Sequence, residues 1–174
     1  GSGSLGYTRD LPQADWRSHR PVRSLDLWGL LESQETVGGS PDGFAEFIFP
    51  YQQALAKRFG KVYYGCCEPV NNRLHILQQL PNLARISVSP WADQTFMAAA
   101  LGRRVVFSRK PNPAMISTER FDEAAIRADL RQTLEIARAC RLELIMKDVH
   151  TLNNEPERLA RWVQLAREEI AKLA

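Results

Sequence analysis

Cysteine is scarce in this chain, with three residues among 174. A small, odd number does not build a disulfide framework, and free thiols belong in a reducing compartment, so a cytoplasmic location is expected. Long apolar runs are lacking. No stretch reaches the length of a bilayer span and the first residues do not read as a signal peptide, so no membrane partner is expected. Basic runs interleaved with aromatics are lacking too, and the net charge of +3 is scattered. Nucleic acid is therefore not an expected partner. No G-x-G-x-x-G and no P-loop follows a candidate strand, which weakens a nucleotide-binding reading. Close-spaced C-x-x-C and H-E-x-x-H patterns are missing as well.

What is present suits one folded domain. A hydrophobic fraction of 44% and a charged fraction of 25% are ordinary for a soluble protein, and the length allows a real core. The opening "GSGS" and the rest of residues 1–23 read as a tag or lead-in loop, leaving 24–174 as the domain. From residue 24 short apolar runs alternate with helical stretches. "SLDLWGLLES" predicts a strand. "SPDGFAEFIFPYQQALAKRFG" predicts one helix, with Ser40 as N-cap, Pro41 in the first turn and Phe44, Phe47, Ile48, Tyr51 and Leu55 on its apolar face. "KVYYGCC", "LARISVSP", "RRVVFSRKPNP" and "RLELIMKDVH" predict four more strands, each followed by a helical segment. The helix capped by Asp122 turns Ile126, Leu130, Leu134 and Ala137 inward. The last helix does the same with Leu159, Trp162, Val163, Ala166 and Ile170.

Strict alternation implies an α/β fold with parallel strands and right-handed crossovers. An open doubly wound sheet and part of a (β/α)₈ barrel both fit. A complete barrel usually needs about 250 residues, so the barrel version is a partial one of about five strands.

In either architecture the functional groups sit at the C-terminal ends of the strands. Five strand exits concentrate the polar chemistry: "ESQE", "GCCEP", "SPW", "SRKPNP" and "KDVHT". Adjacent residues on a strand face opposite ways, so only one of Cys66 and Cys67 is expected to face the site, the other packing on the helices, unless the strand has already ended. Cys67, Glu68 and His150 together would suit zinc with one position open, Cys66 being the alternative thiol. The competing reading makes both cysteines small core residues. His150 is also a candidate acid or base, the alternative being an exposed or hydrogen-bonded loop histidine. Arg109 can clamp a carboxylate, or pair locally in a solvated loop, or form a buried salt bridge inside the barrel mouth. Glu32, at the end of the first strand, faces the site as base or ligand, or pairs with Arg109 or Lys147. Trp91, Lys147 and Asp148 are the candidate substrate contacts, Trp91 otherwise covering the barrel end.

"SPDGFAEFIFPYQQALAKRFG-KVYYGCCEP" resembles the uroporphyrinogen decarboxylase superfamily, whose members share an S-P-x-x-F-x-x-F-x-x-P-Y helix before a strand ending in a His-x-Cys-Gly-type turn. "LARISVSPWADQTFMAAALGRRVVFSRKPNP" resembles the next two units, and "LELIMKDVHTLNNEPERLARWVQLARE" the last strand, loop and helix. The likeness runs from about residue 24 and implies the C-terminal half of a (β/α)₈ barrel. The superfamily holds metal-free tetrapyrrole decarboxylases and corrinoid-linked methyltransferases in which zinc activates a thiol. By this resemblance Cys67 matches the methyltransferase zinc cysteine. His150 matches a later cysteine ligand, or the late histidine of the decarboxylases. Gly65 stands where the first ligand histidine would be, and Glu68 where the family has glycine. Either Glu68 or Glu32 replaces the imidazole, or there is no zinc.

Three expectations follow. The first is a zinc-assisted methyltransferase-type site for a small substrate with an acidic group, with corrinoid supplied only through a partner protein. The second is a metal-free decarboxylase-like site. The third is a non-catalytic barrel half. The family's N-terminal arginine cluster has no counterpart here, so self-association or a separate N-terminal half is expected to complete the barrel.

Overall fold

A computed structural model describes residues 21 and 23–173. The expected lead-in segment falls almost wholly outside the described residues. Five strands, β1 (Trp28–Leu31), β2 (Lys61–Tyr64), β3 (Leu83–Val88), β4 (Val106–Arg109) and β5 (Leu142–Leu144), form one sheet in the order β1-β2-β3-β4-β5. Every neighbouring pair is parallel. Seven helices alternate with them: α1 (Pro41–Phe47), α2 (Phe49–Ala56), α3 (Leu74–Leu77), α4 (Gln94–Leu101), α5 (Ala114–Ser117), α6 (Glu123–Ile136) and α7 (Glu157–Ala171). Sequential order with right-handed crossovers keeps the helices on one side of the sheet. This is the layout of a partial (β/α) barrel, not of a doubly wound sheet.

The alternation of strand side chains defines two faces. Leu31, Val62, Tyr64, Ile86, Val88 and Phe107 point to the helices and form the main core with Phe44, Phe49, Leu74, Met97 and Leu101. A second cluster joins Ile116, Ile126, Leu130, Trp162 and Leu165 beside β5. The opposite face is polar. Tyr63 stands beside Arg85, and Ser87 beside Ser108 and Glu143, in rows across the sheet.

Two expected helices are corrected. Ser40 caps α1 through Gly43 N–H at 3.0 Å, with Pro41 in the first turn. The helix then breaks at Ile48, because Pro50 lacks the N–H that a continuous helix needs there. The break rotates the second half. Phe44, Phe49, Gln52 and Ala56 are buried, whereas Phe47, Tyr51 and Leu55 face solvent. In α7 the buried stripe is Arg158, Trp162, Leu165, Ala166 and Glu169, so Leu159 and Ile170 are exposed. Two buried charges turn the helix. Arg158 donates to the carbonyls of Ile116, Thr118 and Glu119, and Glu169 accepts from Arg127, Arg131 and Lys172.

Candidate metal centre

β2 stops at Tyr64. The next residue, Gly65, has φ +95° and donates its N–H to Leu31 O at 2.8 Å. A Cβ there would lie 3.1 Å from that of Ser87. Glycine therefore ends the strand's alternation, and the two thiols that follow are set by a turn rather than by a pleat. Glu68 fixes that turn. It is buried, and its Oε2 accepts from Cys66 N–H at 2.8 Å while Oε1 accepts from Ser33 N–H at 3.3 Å. One carboxylate thus ties the β2 exit to the β1 exit. Ser87 Oγ donates to Cys66 O at 2.6 Å and ties in β3.

The strand has thus ended before the thiols, the condition under which both cysteines can face the site. Cys66 Sγ and Cys67 Sγ lie 3.6 Å apart on the same side of the turn. The β5 exit completes the group. Cys67 Sγ donates to Asp148 Oδ2 in a short hydrogen bond, and Lys147 Nζ donates to Cys66 Sγ at 2.7 Å. Lys147 also lies 3.4 Å from Asp148. Asp148 adopts φ +59°, a conformation that aspartate tolerates better than most residues. One ligand atom from each of Cys66, Cys67 and Asp148 lies within 4.8 Å of the other two. Among the described residues this is the one grouping of three or more His, Cys, Asp or Glu side chains that could hold a metal ion.

The donor set and its spacing fit a soft divalent ion. Two sulfurs each about 2.3 Å from a tetrahedral zinc stand about 3.8 Å apart, close to the 3.6 Å found here. Burial, the Asp148 hydrogen bond and the neighbouring Cys66 push the Cys67 thiol up to about 12, so without a cation Cys67 keeps its proton. Burial acts to lower the Lys147 ammonium, but its contact with Cys66 and the nearby Cys67 and Asp148 raise it overall. It is a fixed positive charge against the sulfur pair.

The other expected residues lie elsewhere. His150 is exposed and lines a surface cavity with Leu152, Glu155 and Pro156, outside the thiol group. Glu68 serves backbone N–H groups as described. Glu32 is exposed, and its carbonyl accepts from Gln52 at 2.8 Å. Trp91 is exposed. Arg109 is buried on the helix side, where it donates to Thr133 and Asp129 of α6 at 3.3 and 3.2 Å and to Lys110 O. That placement replaces the expected substrate clamp with a tie between β4 and α6. The expected trio of His150, Arg109 and Glu32 is not brought together, whereas Asp148, expected as a substrate contact, joins the thiols. Sequence reasoning also passed over Tyr63 and Ser108, which lie on the inner face beside Lys110. The signal available was the register of alternate residues on β2 and β4.

No protein-family model matches the chain, and neither the curated proteins nor the solved structures contain a match to it.

Proposed function

We propose that the chain is a zinc-assisted group-transfer enzyme of the methyltransferase type, with the ion held by Cys66, Cys67 and Asp148. The observation that carries the reading is the pair of sulfurs at 3.6 Å with the Asp148 carboxylate beside them. Three protein ligands leave a fourth position, the hallmark of catalytic rather than structural zinc. Bound there, zinc would supply Lewis acidity and lower the pKa of a thiol or water.

The chain's own residues have separate tasks. Glu68 holds the ligand turn against β1, and Lys147 sets a cation beside the ligands to receive an acidic group of a small substrate. Cys67 gives up its proton as the ion enters, so zinc uptake releases protons. Methyl transfer is supported by the resemblance of the Cys67 turn to corrinoid-linked methyltransferases, with the corrinoid carried by a partner protein. His150 and Glu32, both exposed at strand exits, are the groups left to handle protons at the rim.

The test is metal content per chain, by mass spectrometry, on protein purified without chelator. One zinc per chain is expected, lost in Cys66→Ser and Cys67→Ser and weakened at least tenfold in Asp148→Asn. Asparagine keeps the left-handed backbone, so that variant separates ligand loss from misfolding. Zinc-free wild-type protein would overturn the reading. It would leave the metal-free alternative, in which the inward cations Arg85, Lys110 and Lys147 hold a substrate carboxylate.

A further inference from the structure

Lys110 follows β4 by one residue and is 4% exposed. Its backbone N–H continues the ladder to Val88 O at 2.9 Å, which fixes the residue at the sheet's C-terminal rim. Its side chain points to the polar inner face, away from the helices that Arg109 contacts. Nζ donates to Ser108 Oγ at 2.8 Å and, by a shorter contact, to the hydroxyl of Tyr63. Tyr63 and Ser108 are themselves bonded at 2.8 Å. No carboxylate pairs with this amine among the ion pairs of the described residues. A buried lysine held by two neutral hydroxyls is an arrangement for a reactive amine rather than for a structural cation.

We infer that Lys110 is a carbonyl-reactive amine, with Tyr63 as its proton relay, that forms an imine with a small anionic aldehyde or ketone such as an α-oxo acid. The inference goes beyond the zinc reading and does not depend on it. In the step, the Nζ lone pair adds to the carbonyl carbon and a C–N bond forms. The former carbonyl oxygen takes up two protons, matching the two the nitrogen gives up, and leaves as water as the remaining C–O bond breaks. The nitrogen loses its protons as the C=N bond forms, so amine and carbonyl compound give imine and water. Tyr63 lies within proton-transfer reach of Nζ throughout, and burial raises its phenol so that it stays a donor. Arg85 and Lys147 also stand at the inner face, beside Glu143 at 3.7 Å and Asp148 at 3.4 Å, and a substrate carboxylate would compete for these two cations.

The proton balance of the amine agrees with this geometry. Burial lowers Lys110 to about 8; Glu143 and Cys66 oppose the shift, and Lys147 and Arg85 add to it. At pH 7 about a tenth is therefore free amine, far more than for an ordinary lysine.

The experiment is reductive trapping of the full chain with glyoxylate and cyanoborohydride, read by peptide mapping. A trapped imine leaves a carboxymethyl group on the lysine concerned. Lys110 is expected to be labelled at least tenfold faster than the exposed Lys57 and Lys172 at pH 7, with a rate that rises to a half-point near pH 8. Tyr63→Phe, which keeps the lysine and the ring, is expected to slow that labelling several-fold without changing Lys57. The N-terminal amine maps to a separate peptide. Labelling of Lys110 no faster than the exposed lysines, or only after unfolding in urea, overturns the inference. So does a Tyr63→Phe rate equal to wild type. The wild-type map alone decides the first point, so a variant that fails to fold does not shield the proposal.

Discussion

Gly65 carries the ligand turn. Its φ of +95° and the approach of Ser87 leave no room for a side chain, so alanine there meets both strain and contact. Gly65→Ala is expected to destabilise the fold by about 1–3 kcal/mol and, on the proposed zinc reading, to weaken zinc uptake by shifting the ligand turn. Chemical denaturation and zinc titration read the two effects separately. A variant as stable as wild type with unchanged affinity would remove Gly65 from this role. The same backbone accounts for the two thiols lying on one side of the turn. It also explains what could not be read beforehand. A period of two assigns Cys66 and Cys67 to opposite faces, and it fails because the strand has already ended. Nothing in the letters "YYGCC" says whether the glycine lies inside the strand or terminates it. Asp148 was legible as a strand-exit carboxylate, but not as a neighbour of Cys67, since 81 residues separate them.

At the scale of elements, the alternation of apolar runs and helical stretches was enough to locate all five strands and the major helices. It also located the N-caps Ser40 and Asp122, whose side chains bond as their residue types require. Strand lengths and helix faces were less legible. β5 covers only Leu142–Leu144 of the apolar run that suggested it. The stripe of α7 was misread because its buried face carries charge, which a hydrophobic pattern cannot register. Glu169 is the centre of that face, accepting from Arg131, Lys172 and Arg127, which hold its carboxyl well below the usual range. A carboxylate with a depressed folded-state pKa contributes stability that is present above its unfolded value and lost as pH falls through the folded one. Glu169→Gln is therefore expected to lower the thermal midpoint at pH 7. Its difference from wild type should hold down to about pH 4.5 and then shrink as Glu169 in the unfolded wild-type chain takes up the proton. Equal midpoints at pH 7 would show that α7 is held by its apolar residues alone.

For the whole molecule, sequential parallel strands leave β1 and β5 as the two edges of the sheet among the described residues. Unpaired edges of this kind recruit further strands. The β5 side carries an apolar cavity of about 480 Å³ lined by Leu142, Leu144, Trp162, Val163 and Ile170. Ile170 is 47% exposed there although it sits on an amphipathic helix. A second copy of the chain is the partner that brings equivalent edges and equivalent apolar surface, so two half-barrels facing one another would cover both. Light scattering is expected to give a mass of at least twice the 19.8 kDa of one chain. Ile170→Glu, a change at a half-exposed position that leaves the core intact, is expected to shift the protein toward one chain without lowering its helical content. A wild-type mass of one chain at every concentration would sink self-association and leave the β5 edge to a different polypeptide. An oligomer indifferent to Ile170→Glu would instead move the contact to the β1 edge.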